Sequence, residues 1–198
     1  MPWWSWLILA LGASLAAGLA IAAWIRDNKP GKDHGRLPGL MMWPPGSVPF
    51  LVMLDTDISP NGLNEALAWA VNFWRLGAHT SLFAAPGEVP EGGKTVPIMS
   101  SDKWPDWPTT ECCSKRFGYT NLIQRQGELW SAAVYIDVAM AHTMNERDLR
   151  RGLAHELGHV LGLAHDEIEE SIMFRSVPVD ADPIVTESDK TMLQAMYA

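Results

Sequence analysis

Cysteine is almost missing from this chain of 198 residues: it has two, Cys112 and Cys113, side by side. A small fold stapled by disulfides is thereby excluded. Positive charge is scarce as well. Lys and Arg number 15 against 23 Asp and Glu, a net charge of −8. That excludes a general nucleic-acid binder, which needs clustered cations to displace counterions from phosphates. Neither an internal repeat nor a low-complexity tract is present. An apolar fraction of 47% with 19% charged residues excludes a disordered chain. No Lys or Arg occurs before residue 26. Tryptophan and methionine are the plentiful residues, ten of each, and four tryptophans fall in the first 24 residues.

Trp3 to Ile25 is 23 residues without a charge, and a helix needs roughly 20 apolar residues to cross a bilayer core. Trp3, Trp4 and Trp6 stand at one end and Trp24 at the other, where indoles favour the membrane–water boundary. The run predicts a transmembrane anchor over residues 1–25. A cleaved signal peptide competes, with Ala20-Ile21-Ala22 as a cleavage site, but such a peptide starts basic and has a shorter apolar run. A buried core helix would carry a polar face. Arg26, Lys29, Lys32 and Arg36 follow the run, and the positive-inside rule then puts the next domain in the cytoplasm.

Residues 26–47, with Lys29-Pro30-Gly31, Pro38-Gly39 and Pro44-Pro45-Gly46, have linker composition. Residues 48–198 are long enough for one core. Val48 to Ile58 reads as a strand. Ser59-Pro60 opens a helix with Leu63, Leu67, Ala70, Val71 and Trp74 in one stripe, closed by Gly77. Thr80 to Phe83, Thr95 to Met99, Phe117 to Ile123 and Leu129 to Val138 are further strands, with Gln124 to Gly127 turning between the last two. Thr143 and Glu146 have capping-box spacing before a helix that carries Leu149, Leu153, Leu157 and Leu161 on one face. Thr186 starts a last helix with Leu193, Met196 and Tyr197 inward. The fold class is α/β (α+β): a mixed twisted sheet with an active-site helix and a C-terminal helix.

The chemistry is concentrated in His155-Glu156-Leu157-Gly158-His159-Val160-Leu161-Gly162-Leu163-Ala164-His165. His155 and His159 are four apart, so both rings leave the same helix face, about 6 Å apart along the axis. Glu156 is rotated by about 100° and can stand beside a metal without binding it. Gly162 can take a positive φ, end the helix and bring His165 back toward the pair. Three neutral nitrogens with an open fourth position suit a single catalytic Zn²⁺, and no thiolate is close by to close the site. Glu156 is then placed to take a proton from the activated water and pass it to a leaving amine.

HELGHVLGLAH resembles the long zinc signature of the metzincin metalloproteases. Ser171-Ile172-Met173-Phe174, with Met173 eight residues after His165, is similar to the methionine turn of the matrixin branch, and Thr186 to Tyr197 is similar to its closing helix. The resemblance is strong over 144–174 and architectural over 48–143. It implies a zinc endopeptidase acting on protein or peptide substrates. His155, His159 and His165 would be ligands, Glu156 the general base and acid, and Met173 a hydrophobic floor. Substrates of the family lie extended along an edge strand, here the pair 117–123 and 129–138, and residues 175–186 would wall the pocket after the scissile bond. Phe174 departs from the Tyr of many relatives. Neither a cysteine-switch motif nor the extra zinc and calcium motifs of animal matrixins is recognisable. Most metzincins act outside the cytoplasm, so the resemblance favours an extracytoplasmic domain, against the flanking charges.

Other residues have plainer readings. Cys112 and Cys113 read as two free thiols, with a vicinal disulfide or a thiolate blocking the zinc as the alternatives; His34 reads as solvated, and His79 and His142 lie at element ends. Asp166, Glu167, Glu169 and Glu170 form a solvated acidic turn, with Asp166 able to brace the site. Trp104 and Trp107 either line a cleft or cover the core. Two alternatives to a peptidase stay open at this point: a membrane-anchored binding or structural module with a vestigial zinc site, and a zinc enzyme that hydrolyses something other than a protein amide.

Overall fold

A computed structural model of the chain describes residues 43–44, 47, 49–55, 58, 62–78, 82–85, 88, 94–104, 117–125, 128–175 and 182–197. The anchor read over residues 1–25, most of the stretch read as a linker, Ser59-Pro60, His34, His79, Trp107 and Cys112-Cys113 lie outside these residues. Among the described residues no helix is long and apolar enough to cross a membrane.

The elements are β1 (Leu51–Leu54), α1 (Leu63–Gly77), β2 (Thr95–Ser100), a 3-10 turn (Ser101–Lys103), β3 (Gly118–Arg125), β4 (Glu128–Ile136), α2 (Val138–Thr143), α3 (Glu146–Val160) and α4 (Glu187–Tyr197). The sheet order is β1-β2-β4-β3. β1, β2 and β4 are mutually parallel, and β3 runs antiparallel to β4 along one edge. Period-2 alternation decides what each face carries. Val96, Ile98, Ala132, Val134 and Ile136 turn toward α1 and α3 in the main core. Met99, Ala133 and Tyr135 turn the other way and are covered by Trp104, whose ring meets Tyr135 edge-on at 4.7 Å. Trp104 therefore covers the core.

Helix α1 buries Leu63, Ala66, Leu67, Ala70, Val71 and Trp74, the expected stripe plus Ala66. Its start differs from the sequence reading. Gly62, at φ 79°, precedes the first turn and supplies no side-chain cap. The helix closes at Gly77, as expected, with Ala78 as its C-cap, and Gly77 does so without a positive φ. The glycine is there for space, because a Cβ on it would stand 2.6 Å from Val185 Cγ2.

Three further boundaries are corrected. Among the described residues of the strand expected over Val48 to Ile58, the strand proper is Leu51–Leu54, and of Thr80 to Phe83 the described residues contribute a bridge between Phe83 and Phe50. The strand expected to reach Val138 stops at Ile136, because the Asp137 carboxylate accepts the Met140 N–H at 2.9 Å and caps the short helix α2. The capping box at Thr143 and Glu146 is not formed. Thr143 is the last residue of α2 and its hydroxyl donates to Met140 O. Asn145 is the cap, accepting from Asp148 N at 2.9 Å while its amide donates to the Asp148 carboxylate at 2.8 Å. Both Thr and Asn can cap, but Thr143 is still helical in α2, whereas Asn145 has the extended geometry a cap requires. A capping box does form at α4: Thr186 Oγ1 accepts from Asp189 N, and Asp189 Oδ2 accepts from Thr186 N.

The stretch read as a linker contributes to the fold at Trp43. This side chain is buried against Phe50, with ring centroids 4.8 Å apart.

Candidate metal centre

Helix α3 carries the site. Leu149, Leu153 and Leu157 bury one face in the core, and truncation of such a leucine to alanine costs about 2–5 kcal/mol. Trp74 Nε1, from α1, donates to Ala154 O at 2.7 Å and fixes the helix against α1. The helix stops as its sequence predicts. Gly162 has φ 91°, its N–H bonds to His159 O at 2.9 Å, and Leu163 N–H bonds to Gly158 O at 3.1 Å. This pair of reversed bonds is a Schellman turn. Two carbonyls beyond its reach are met from afar: Trp43 Nε1 donates to Val160 O at 2.8 Å, and the Tyr197 hydroxyl donates to Leu161 O at 2.7 Å.

The turn delivers His165. Its ring lies 5.2 Å from that of His155 and 4.8 Å from that of His159, centroid to centroid. One donor atom from each of the three imidazoles falls within 4.8 Å of the others. Among the described residues this is the one cluster of three or more His, Cys, Asp or Glu side chains able to hold a metal ion. The Nε2 atoms of His155 and His159 are 3.1 Å apart, close to the separation of two ligands on one tetrahedral ion bound at about 2.0–2.1 Å.

Each ring of the α3 pair is oriented by a backbone carbonyl. His155 Nδ1 donates to Ile172 O and His159 Nδ1 to Leu163 O, both at 2.8 Å. With the proton at Nδ1, Nε2 carries the lone pair, which is the tautomer a metal ligand needs. Burial disfavours the imidazolium form of His155, with Arg151 adding to the effect against the bond to Ile172. His159 is pushed down to about 3 by burial and by His155, against the bond to Leu163. Both rings are therefore neutral and ready to coordinate at neutral pH.

The segment after His165 returns beneath the helix. Phe174 N bonds to Ser171 O at 3.1 Å, closing a tight turn over Ser171-Ile172-Met173-Phe174. The turn holds the site at two points: Ile172 O orients His155, and Met173 O accepts the N–H of Asp166, the residue after His165. Met173 is fully buried, and its sulfur lies where a Cβ on Gly158 would be, 2.2 Å away.

The deciding comparison is with a family: the sequence model of the matrixin peptidases matches residues 70–198. The chain is a matrixin. No curated protein matches it. The matrixins are metallopeptidases that use a catalytic zinc ion, and in this matrixin the three imidazoles fit such an ion in donor chemistry and spacing, with the α3 pair also oriented in the ligating tautomer.

Glu156 is also buried in this matrixin, at 6% exposure. It leaves α3 toward the edge strand, where Thr120 Oγ1 donates to its Oε2 at 2.7 Å. Asp166 takes part in the local turn, its Oδ1 accepting from Ile168 N at 3.1 Å. His142 is exposed and stands apart from the cluster. Most of the wall expected over 175–186 lies outside the described residues. Sequence reasoning missed Gly118, Thr120, Trp43 and the reason for Gly158. The alternation of β3 carried a signal for Thr120, since an even-numbered residue there shares a face with Leu122, which packs against the core.

Proposed function

We propose that this matrixin is a zinc-dependent endopeptidase in which His155, His159 and His165 hold the metal and Glu156 is the general base. One observation carries the reading: a buried carboxylate on α3, next in sequence to one metal-ready imidazole and three residues before the other, is hydrogen-bonded to the edge strand β3. Bound zinc supplies a Lewis acid that polarises the scissile carbonyl and makes water acidic enough to attack near neutral pH. The carboxylate of Glu156 accepts the proton of the attacking water and then delivers it to the departing amine nitrogen. His155 and His159 do no proton transfer; their Nδ1 protons stay on Ile172 O and Leu163 O. Among the described residues β3 has β4 on one side only, so its other edge can pair with an extended peptide, which orients the substrate by its backbone. Met173 forms the apolar floor under the histidines.

The uncharged run from Trp3 to Ile25, with tryptophans at both ends, supports a membrane anchor for this domain. Family resemblance supports the extracytoplasmic side.

The test uses the full chain loaded with zinc, a mixed peptide library and mass spectrometry, with Glu156→Gln beside it. Internal cleavages that vanish on chelation and in the variant are expected. One zinc bound per chain without any cleavage would overturn the endopeptidase and leave a zinc-binding module.

A further inference from the structure

We propose that Thr120, with Gly118 two residues before it on β3, is the positioning residue for the Glu156 carboxylate. This rests on the reading of Glu156 as general base. A glutamate side chain has three rotatable bonds, and its backbone position on α3 fixes none of them. Helix geometry sets His155 and His159 on one face, and the carboxylate must be brought to a defined place beside them by something outside the helix.

β3 provides two contacts for it. In a strand, residues two apart share a face, and on β3 the face shared by 118, 120 and 122 is the one toward α3. Gly118 supplies space: a Cβ there would stand 2.7 Å from Glu156 Cγ and 2.8 Å from Oε1. Thr120 supplies a donor. Its hydroxyl lies 2.7 Å from Glu156 Oε2 and 3.0 Å from Glu156 O. A hydroxyl has one proton to give, and the carboxylate oxygen is the nearer acceptor. The Oε2 end is thus held by Thr120 while the Oε1 end lies over Gly118, which sets the plane of the carboxylate. Strand β3 is also the edge to which an extended peptide would add. The residues that orient the base and the backbone that would orient the substrate therefore belong to one strand, and their relative position is set by its pleat.

The test compares Thr120→Val and Thr120→Ser in the zinc-loaded full chain, with Glu156→Gln as the inactive reference. Valine keeps the shape and removes the donor; serine keeps the donor. For Thr120→Val, kcat is expected to fall about tenfold to a hundredfold, with KM and bound zinc unchanged, and Thr120→Ser is expected to restore most of the loss. A second readout is independent of turnover. In crystals of the metal-free protein, Glu156 is expected in one rotamer in the wild type and Thr120→Ser, and in several in Thr120→Val. A single Glu156 rotamer in Thr120→Val, or equal loss of kcat in the valine and serine variants, overturns the proposal. A wild type that binds zinc, holds Glu156 in one rotamer and cleaves nothing overturns the peptidase reading instead. Should Thr120→Val fail to fold, Thr120→Ala takes its place against the same serine control.

Discussion

Replacing Gly158 by alanine adds one methyl group at the most crowded point of the site. A Cβ there would stand 2.2 Å from Met173 Sδ, 2.7 Å from Trp74 Cζ2 and 3.1 Å from Met173 Cε. Comfortable contact needs about 3.5–4.0 Å, so the sulfur must retreat by more than 1 Å. Met173 has the flexible side chain to do so. Trp74 does not: it is fully buried and tied by its indole N–H to Ala154 O. Overpacking costs about 1–3 kcal/mol. A helical glycine changed to alanine recovers about 1 kcal/mol of propensity. With one of the two neighbours fixed, the upper part of the first range applies, and the net loss is about 1–2 kcal/mol. For a domain of this size that is a fall in melting temperature of about 2–8 °C, measured by circular dichroism with a chelator present so that metal binding does not mask it. A displaced Met173 also drags the neighbouring Ile172 carbonyl away from His155 Nδ1, and disturbing such a support costs about tenfold to a hundredfold in metal affinity. A competition titration with a chromophoric chelator reads that loss. A variant that melts at or above the wild-type temperature and binds zinc as tightly would refute the reasoning.

Two pH responses follow from buried groups. His155 and His159 have depressed folded-state pKa values, so their contribution to stability is present above the unfolded value of about 6.5 and is lost as pH falls below it. The metal-free wild type should lose about 2 kcal/mol of stability relative to His159→Phe between pH 7 and pH 5, nearly all of it below the unfolded value of about 6.5; urea midpoints that keep a constant difference across the range would count against this. Asp189 is buried in the core, and desolvation raises its pKa against the bonds from Thr186. Its contribution is therefore present at low pH and lost as pH rises through the raised value. Asp189→Asn keeps an oxygen for Thr186 N–H and removes the titration, so its melting temperature relative to wild type should rise from pH 4.5 to pH 8. A fall over that range would contradict the assignment.

The site was legible in the sequence where local geometry alone decides it. Four-residue spacing puts His155 and His159 on one face, and a glycine after the helix turns the chain back with His165. Those relations hold within a dozen residues and survive any error in the rest of the fold. What could not be seen is what comes from distant parts of the chain. Thr120 and Gly118 act on Glu156 only because β3 lies at the edge beside α3, and nothing near either residue announces that. Trp43 sits among prolines and glycines whose composition resembles a linker, yet its indole reaches a helix end 117 residues away. Boundaries were displaced for a related reason. The run from Leu129 to Val138 is apolar up to its end, so the capping role of Asp137 was hidden inside a strand-like pattern. Thr143 and Asn145 are both competent caps, and only the geometry after α2 chooses between them.

The exit of the active-site helix has a consequence for the order of events during synthesis. Its final carbonyls are completed by Trp43, made long before the helix, and by Tyr197, made 36 residues after Leu161. A nascent chain that has just exposed His165 outside the ribosome still lacks both the turn at Met173 that orients His155 and the hydroxyl that satisfies Leu161. The turn that orients His155 therefore forms only after Met173 has emerged, and the helix exit is completed only once Tyr197 has followed.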